Sequence, residues 1–307
     1  MRTTLTLLAL ALVAACAGTG GASVAAEGAA AADAGSAAAA KPAPASLPPS
    51  LLYRNARGAL FAPAAMDSIL AAEQGLPTPV RIGRWARRFL ADPASEYRFG
   101  LAEGGYVAKR LLVSDHRQDC VSLLYRCCEL AQASTHEDAL RIALATRFAG
   151  APLDSLIDAT GGVDYDRPEH LDYSLDMVRS GHWGADVTAS LSGARPDPVG
   201  SSRYPAGSFL AVPEAALRAE ELQEGDIVWI VTDPAHAGAR KQREELGLVI
   251  GHIGIVVVEK GERRLIHAAS SPLPGEYEGG RVESVPLAAY LRRVERYGAV
   301  IVTRVGE

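Results

Sequence analysis

The stretch LVIGHIGIVVVEKGERRLIHAA, residues 248–269, decides the fold. Leu248 to Val258 is a long run of aliphatic residues, and Arg264 to Ala268 is a shorter one. Between them Glu259-Lys260-Gly261-Glu262-Arg263 is polar and holds one glycine, the pattern of an antiparallel hairpin. A histidine interrupts each arm, His252 in the first and His267 in the second. Antiparallel neighbours on one face lie about 5 Å apart, so His267 can orient His252 through its far ring nitrogen.

Working outward, Gly225-Asp226 leads into a β-rich run at Ile227 to Val231. Val282 to Val285 and Ala299 to Arg304 supply two more, with a helix at Leu287 to Arg293 between them. The first half of the chain has a different period. Leu51 to Val113 reads mainly helical: Met66 to Gln74 and Ile82 to Leu90 carry apolar residues at helical spacing, separated by Gly75 to Pro79. Gln118 to Ala131 is the clearest helix, with Val121, Leu124, Cys128 and Ala131 on one stripe. Thr135 to Phe148 follows, with Ser134 and Thr135 as caps and Glu137-Asp138 in its first turn. Residues 150–224 are rich in Pro, Gly and Asp, and only Leu171 to Arg179 reads as helical. A segment this long and irregular is expected to serve function. Helices first and an antiparallel sheet second give an α+β class.

The N-terminus points to export. Arg2 supplies a positive start and Leu5 to Ala14 an apolar core too short for a bilayer of about 30 Å, so residues 1–15 read as a signal peptide. Val13-Ala14-Ala15-Cys16 resembles a bacterial lipobox, with Cys16 the lipidated residue and the membrane a partner through that anchor. Ala17 in the next position resembles the sorting pattern for the outer membrane, facing the periplasm. Residues 16–50 are almost entirely Ala, Gly, Ser and Pro, the composition of a disordered tether, and leave 51–307 as the folded domain. A net charge of −5 without basic clusters argues against nucleic acid as a partner. Arg87-Arg88 and Arg292-Arg293 read as solvated helix faces. With Cys16 given to lipid, Cys120, Cys127 and Cys128 remain on one helix. Residues seven apart there are separated by about 10 Å, too far for a disulfide. A free thiol is therefore expected.

Cys120 stands at the start of its helix, directly after Asp119. Unpaired N–H groups and the helix dipole favour a thiolate there and lower the thiol pKa. The same N–H groups can hold an oxyanion. A base must come from elsewhere, and His252 with His267 behind it supplies the nucleophile, base and orienter of a triad. Cys127 and Cys128 read as small core residues. Zinc held by Cys120, His252 and His267 is the competing arrangement, but the triad reading requires no metal and no cofactor.

The motifs run in a telling order: Leu112-Val113, Asp119-Cys120, Arg147-Phe148 with Gly150, and Asp164-Tyr165-Asp166-Arg167-Pro168-Glu169-His170. Gly225-Asp226-Ile227-Val228, Gly251-His252-Ile253-Gly254 and Leu265-Ile266-His267-Ala268 follow. Together they resemble the NlpC/P60 superfamily of papain-like peptidoglycan hydrolases, and more narrowly the DUF1460 group of N-acetylmuramoyl-L-alanine amidase-like proteins. The resemblance spans residues 81–304. It implies a papain-like fold, a peptidoglycan or muropeptide substrate, Cys120 as nucleophile, His252 as base and His267 as third polar residue. It also implies that residues 150–224 shape the substrate cleft, with Arg167, His170 and Asp119 at the substrate. A D-glutamyl-diamino-acid endopeptidase and an inactive wall-peptide-binding lipoprotein are the alternatives. Two departures bear on which bond is cut. Ser122-Leu123-Leu124-Tyr125-Arg126 replaces the usual Thr and aromatic residues, and Asp92-Pro93-Ala94-Ser95-Glu96-Tyr97 replaces Gly-x-Pro-Tyr.

Overall fold

The structure is a computed structural model that describes residues 46–148, 150–171 and 173–306. The signal segment, Cys16 and nearly all of the Ala/Pro-rich stretch lie outside the described residues. Helices α1 (Pro49–Ala56), α2 (Pro63–Glu73) and α3 (Thr78–Leu90) open the described chain. Each has a proline in its first turn, where the missing N–H has no intrahelical acceptor to lose. Pro48-Pro49 therefore starts a helix. Leu51 is fully buried, and the Leu47 N–H donates to Glu137 Oε1 at 3.3 Å. Packed chain thus reaches back to Leu47, earlier than residue 51.

Between Leu90 and Cys120 there is no helix, against the expectation of helical chain as far as Val113. Pro93, Gly100, Gly104 and Gly105 fall here, and each opposes helix. Two short strands, β1 (Glu96–Tyr97) and β2 (Arg117–Gln118), pair in parallel instead. Helices α4 (Cys120–Gln132) and α5 (His136–Arg147) follow, the latter capped by Thr135 Oγ1 accepting from the Asp138 N–H at 3.0 Å.

Helix α4 is buried on every side from Ser122 to Ala131, so the single apolar stripe read from sequence is too narrow. Helices α3 and α5 and the sheet all pack on it. That placement carries Arg126 and Glu129 into the core. Arg126 donates to Asp115 Oδ1 at 2.7 Å and to Glu129 Oε2 at 3.1 Å. Arg147 from α5 donates to both Glu129 oxygens at 2.8 and 2.9 Å, and to the Tyr165 hydroxyl at 3.0 Å. Charges this deeply buried persist only when paired and hydrogen-bonded. Arg87 and Arg88 are likewise engaged, with Glu224 and Glu73, rather than freely solvated.

Residues 150–224 hold helix α6 (Leu175–Ser180) and strands β3 (Ala185–Asp186), β4 (Arg195–Pro196) and β5 (Leu210–Pro213). Strand β6 (Ile227–Thr232), helix α7 (Ala237–Glu245), strands β7 (Ile250–Glu259), β8 (Glu262–Ala269) and β9 (Arg281–Pro286), helix α8 (Leu287–Arg293) and strand β10 (Tyr297–Arg304) complete the domain. The main sheet is antiparallel in the order β4-β5-β10-β6-β7-β8-β9, with β3 also on β10. Strand β10 is thus interior, between β5 and β6. One face of the sheet packs on the helical half through Trp229, Ile253 and Ile255, and the other lies under α8 through Val228, Val256 and Leu265. Gly225 enters β6 at φ +81, where a Cβ would lie 2.2 Å from the Pro79 carbonyl oxygen. Only glycine fits there. The next residue, Asp226, accepts from Arg304 at 2.7 and 2.8 Å and ties β6 to β10.

Candidate active site

Asp119 has extended backbone and caps α4. Its Oδ1 accepts from the Ser122 N–H at 2.8 Å while Ser122 Oγ accepts from the Asp119 N–H at 2.9 Å, a reciprocal capping box. Asp119 Oδ2 takes the Gly100 N–H at 2.9 Å. Both oxygens are spent on backbone and the residue is buried, which makes Asp119 a positioning residue rather than an open substrate contact. The cap sets Cys120 as the first helical residue.

Strand β7 delivers His252. Its register against β6 shifts between Ile230/His252 and Val231/Ile250, so Gly251 is the extra residue of a bulge. Bulges bend a strand and re-aim the neighbouring side chain. A Cβ on Gly251 would lie 2.7 Å from the Thr232 methyl and 2.8 Å from the Tyr297 ring, so the close approach requires glycine. His252 Nε2 and His267 Nδ1 are 2.8 Å apart, a hydrogen bond between the two arms of the hairpin. Helix α4 packs on β7 and β8, and the N–H of Ile253, the residue after His252, is among the groups that favour the Cys120 thiolate.

Three tyrosines enclose the histidines. Tyr297 stacks on His252 at 6.2 Å and 19°, Tyr290 lies 4.7 Å from His267, and Tyr277 lies 5.3 Å from it. In these surroundings burial pushes the Cys120 thiol up to about 12, with the neighbouring Asp119 charge adding to it. The N–H groups of Ile253, Cys120 and Val121 pull the other way and do not compensate. At this helix start desolvation and the Asp119 charge act against the acidification expected from the dipole. Burial likewise drives His252 down to about 3, helped by the Arg296 charge, and His267 well below its ordinary value, helped by His252. Burial thus pushes the thiol and both imidazoles toward their neutral forms. Among the described residues no cluster of His, Cys, Asp and Glu is arranged to hold a metal ion.

Arg167 and His170 each have local partners. Arg167 pairs with Glu169 at 3.0 Å and reaches the Ser155 carbonyl at 3.3 Å. His170 lies against Phe148 and Tyr165, at 5.2 and 5.1 Å, and burial takes it down to about 4. Two residues at the site escaped sequence reasoning. The Tyr173 hydroxyl is buried without a hydrogen-bond partner, and its electrostatic neighbours include Cys120, Tyr297 and Arg296. Arg296 lies over the Tyr297 ring at 5.3 Å and donates to Gln242 Oε1 at 3.1 Å. Neither sits in a recognisable motif; the only signal was their occurrence in or beside otherwise unexplained polar stretches.

No family model and no curated protein sequence matches the chain. Solved structures do. An N-acetylmuramoyl-L-alanine amidase from Bacteroides uniformis superposes with a TM-score of 0.52 at 17% identity, over 75% of this chain and 99% of that one. Protein LPG0564 of Legionella pneumophila, of the DUF1460 family, gives 0.54 at 16% identity, over 80% and 94%. A candidate xylanase from Bacteroides fragilis gives 0.51 at 18%, over 72% and 99%. The chain shares the α+β fold of these proteins.

Proposed function

We propose that this chain is a cysteine amidohydrolase of the cell wall, cleaving the bond between N-acetylmuramic acid and L-alanine in peptidoglycan or muropeptides. The observation that carries the reading is the 2.8 Å His252–His267 bond on the hairpin that packs against α4, the helix whose first residue is Cys120. With His252 Nε2 committed to His267, its Nδ1 is left to take the thiol proton. Sγ then attacks the amide carbonyl, and the Cys120 and Val121 N–H groups offer donors for the oxyanion. His252 returns the proton to the leaving amine, and water hydrolyses the thioester. Burial disfavours a preformed thiolate–imidazolium pair, which favours proton transfer coupled to attack. Two of the structural neighbours, the amidase and the DUF1460 protein, support the same reading at the level of fold, and the NlpC/P60 superfamily remains the resemblance drawn from the motifs.

Glycoside hydrolysis uses two carboxylates flanking the scissile bond, whereas the carboxylate beside Cys120 is consumed by the helix cap. We further propose that Cys16 anchors the protein to the envelope, most simply the outer membrane facing the periplasm. Mass spectrometry of muropeptides incubated with the domain tests the reaction. Free stem peptide and intact disaccharide are expected, and absent with Cys120→Ala. Cleavage between D-glutamate and the diamino acid would identify the endopeptidase instead, and no cleavage at all would leave a wall-peptide-binding protein.

A further inference from the structure

We infer that Arg296 and Tyr173 form a subsite for a carboxylate of the substrate, next to the reacting thiol. The inference rests on the amidohydrolase reading and adds to it what the enzyme selects. Arg296 is half-buried on the segment entering β10, with its guanidinium over Tyr297, the ring on which His252 stacks. Among the described residues it has no carboxylate partner; its one side-chain hydrogen bond goes to a neutral amide, Gln242 Oε1 at 3.1 Å. That sets it apart from Arg126, Arg147, Arg243 and Arg304, each of which is neutralised by an acidic residue. A planar guanidinium has five donors, so most of this one is unspent.

Tyr173 supplies the second, independent observation. A buried hydroxyl is ordinarily hydrogen-bonded, and this one is not. Its electrostatic neighbours include Cys120, Tyr297 and Arg296, and Tyr297 is the ring under the Arg296 guanidinium. A fixed cation and an orphan O–H together match an anionic, hydrogen-bond-accepting group, and a carboxylate has the geometry for Arg. The peptide arm of a muropeptide carries such a group on its D-glutamyl residue, close along the chain to either amide considered above. Replacing that carboxylate with a carboxamide removes the charge with almost no change of shape.

The test compares a muropeptide bearing D-glutamate with the same molecule bearing D-isoglutamine. The wild-type domain is expected to prefer the carboxylate in kcat/KM by roughly 10- to 100-fold, the range of one hydrogen bond to a charged group. Arg296→Gln should bring the ratio close to one, Arg296→Lys should restore part of it, and Tyr173→Phe should lower it by a smaller factor. Binding of the two ligands to Cys120→Ala, by calorimetry, should show the same order of preference without turnover. Equal kcat/KM for both substrates in the wild type, or a ratio unchanged in Arg296→Gln, would overturn the subsite while leaving the hydrolase reading in place. Absence of both turnover and binding would overturn the two together.

Discussion

Cys120 sits between opposing influences: three N–H groups that favour its thiolate, and a buried setting with a neighbouring carboxyl that does not. Alkylation by iodoacetamide should therefore keep accelerating well above pH 9 in the free enzyme, since only the thiolate reacts. Asp119→Asn should shift that profile to lower pH by removing the charge, at some cost to the Gly100 bond. Peptide mass spectrometry separates Cys120 from the fully buried Cys127 and Cys128, and a rate that levels off below pH 7 would contradict the push of the thiol toward its neutral form. The same geometry grades the triad substitutions. Cys120→Ala should reduce release of stem peptide to background, and His252→Ala should lower it by roughly 10²- to 10⁴-fold, the range of general acid–base catalysis. His267→Ala should cost less, because in the proposed triad His267 acts only through its bond to His252. Circular dichroism must show each variant folded.

The elements explain why those residues meet. Gly251→Ala would drive a methyl into Thr232 and Tyr297, so it should lose about 1–3 kcal/mol of stability by overpacking and lower kcat by misaiming His252. An unchanged kcat in a folded Gly251→Ala protein would count against the bulge as the aiming device. Within α4, Glu129→Ala would strand Arg147 and leave Arg126 with Asp115 alone, and urea unfolding should show a loss of about 3–5 kcal/mol. The hairpin, α3 to α5 and the Cys120 helix start were legible in the sequence, because their apolar periods and the polar Asp119 before Cys120 are local signals, although Gln118, read into the helix, ends β2 instead. Helix α7 was not: among Ala237–Glu245 only Ala239, Gln242 and Arg243 are buried, so no apolar stripe announces it. The four-residue β5 was equally silent, being too short to establish an alternation. The buried Asp115–Arg126–Glu129–Arg147 network was invisible for a different reason. Charges on a helix ordinarily mean solvent, and only the packing of neighbours on every side of α4 reverses that meaning. The tyrosine enclosure is assembled from three separate segments, and no spacing rule connects them.

At the scale of the molecule, the proposed nucleophile and base come from different halves, α4 from the helical half and β7 from the sheet, so the proposed reaction requires the two to be docked. Acid should undo both at once. His252 binds its proton near pH 6.5 when unfolded and near 3 when folded, and His170 near 4 when folded, so the unfolded chain holds more protons between those limits. Their contribution to stability is fully present above about pH 6.5 and is lost as the pH falls toward 3. Melting temperature should decline across that window, less steeply in His170→Phe; equal slopes would remove His170 from the account. A last consequence comes from the position of β10. It fills the gap between β5 and β6, and its Thr303 hydroxyl reaches the Trp183 carbonyl across 120 positions of chain. Until β10 arrives, β6 has one bare edge, and its sequence Ile227-Val228-Trp229-Ile230-Val231-Thr232 is uncharged, proline-free and strongly β-forming. Such an edge recruits other strands and aggregates. A nascent or clipped chain lacking β10 is thus sticky before it is ever catalytic, and incomplete copies would be cleared as insoluble waste rather than released as half-built hydrolases.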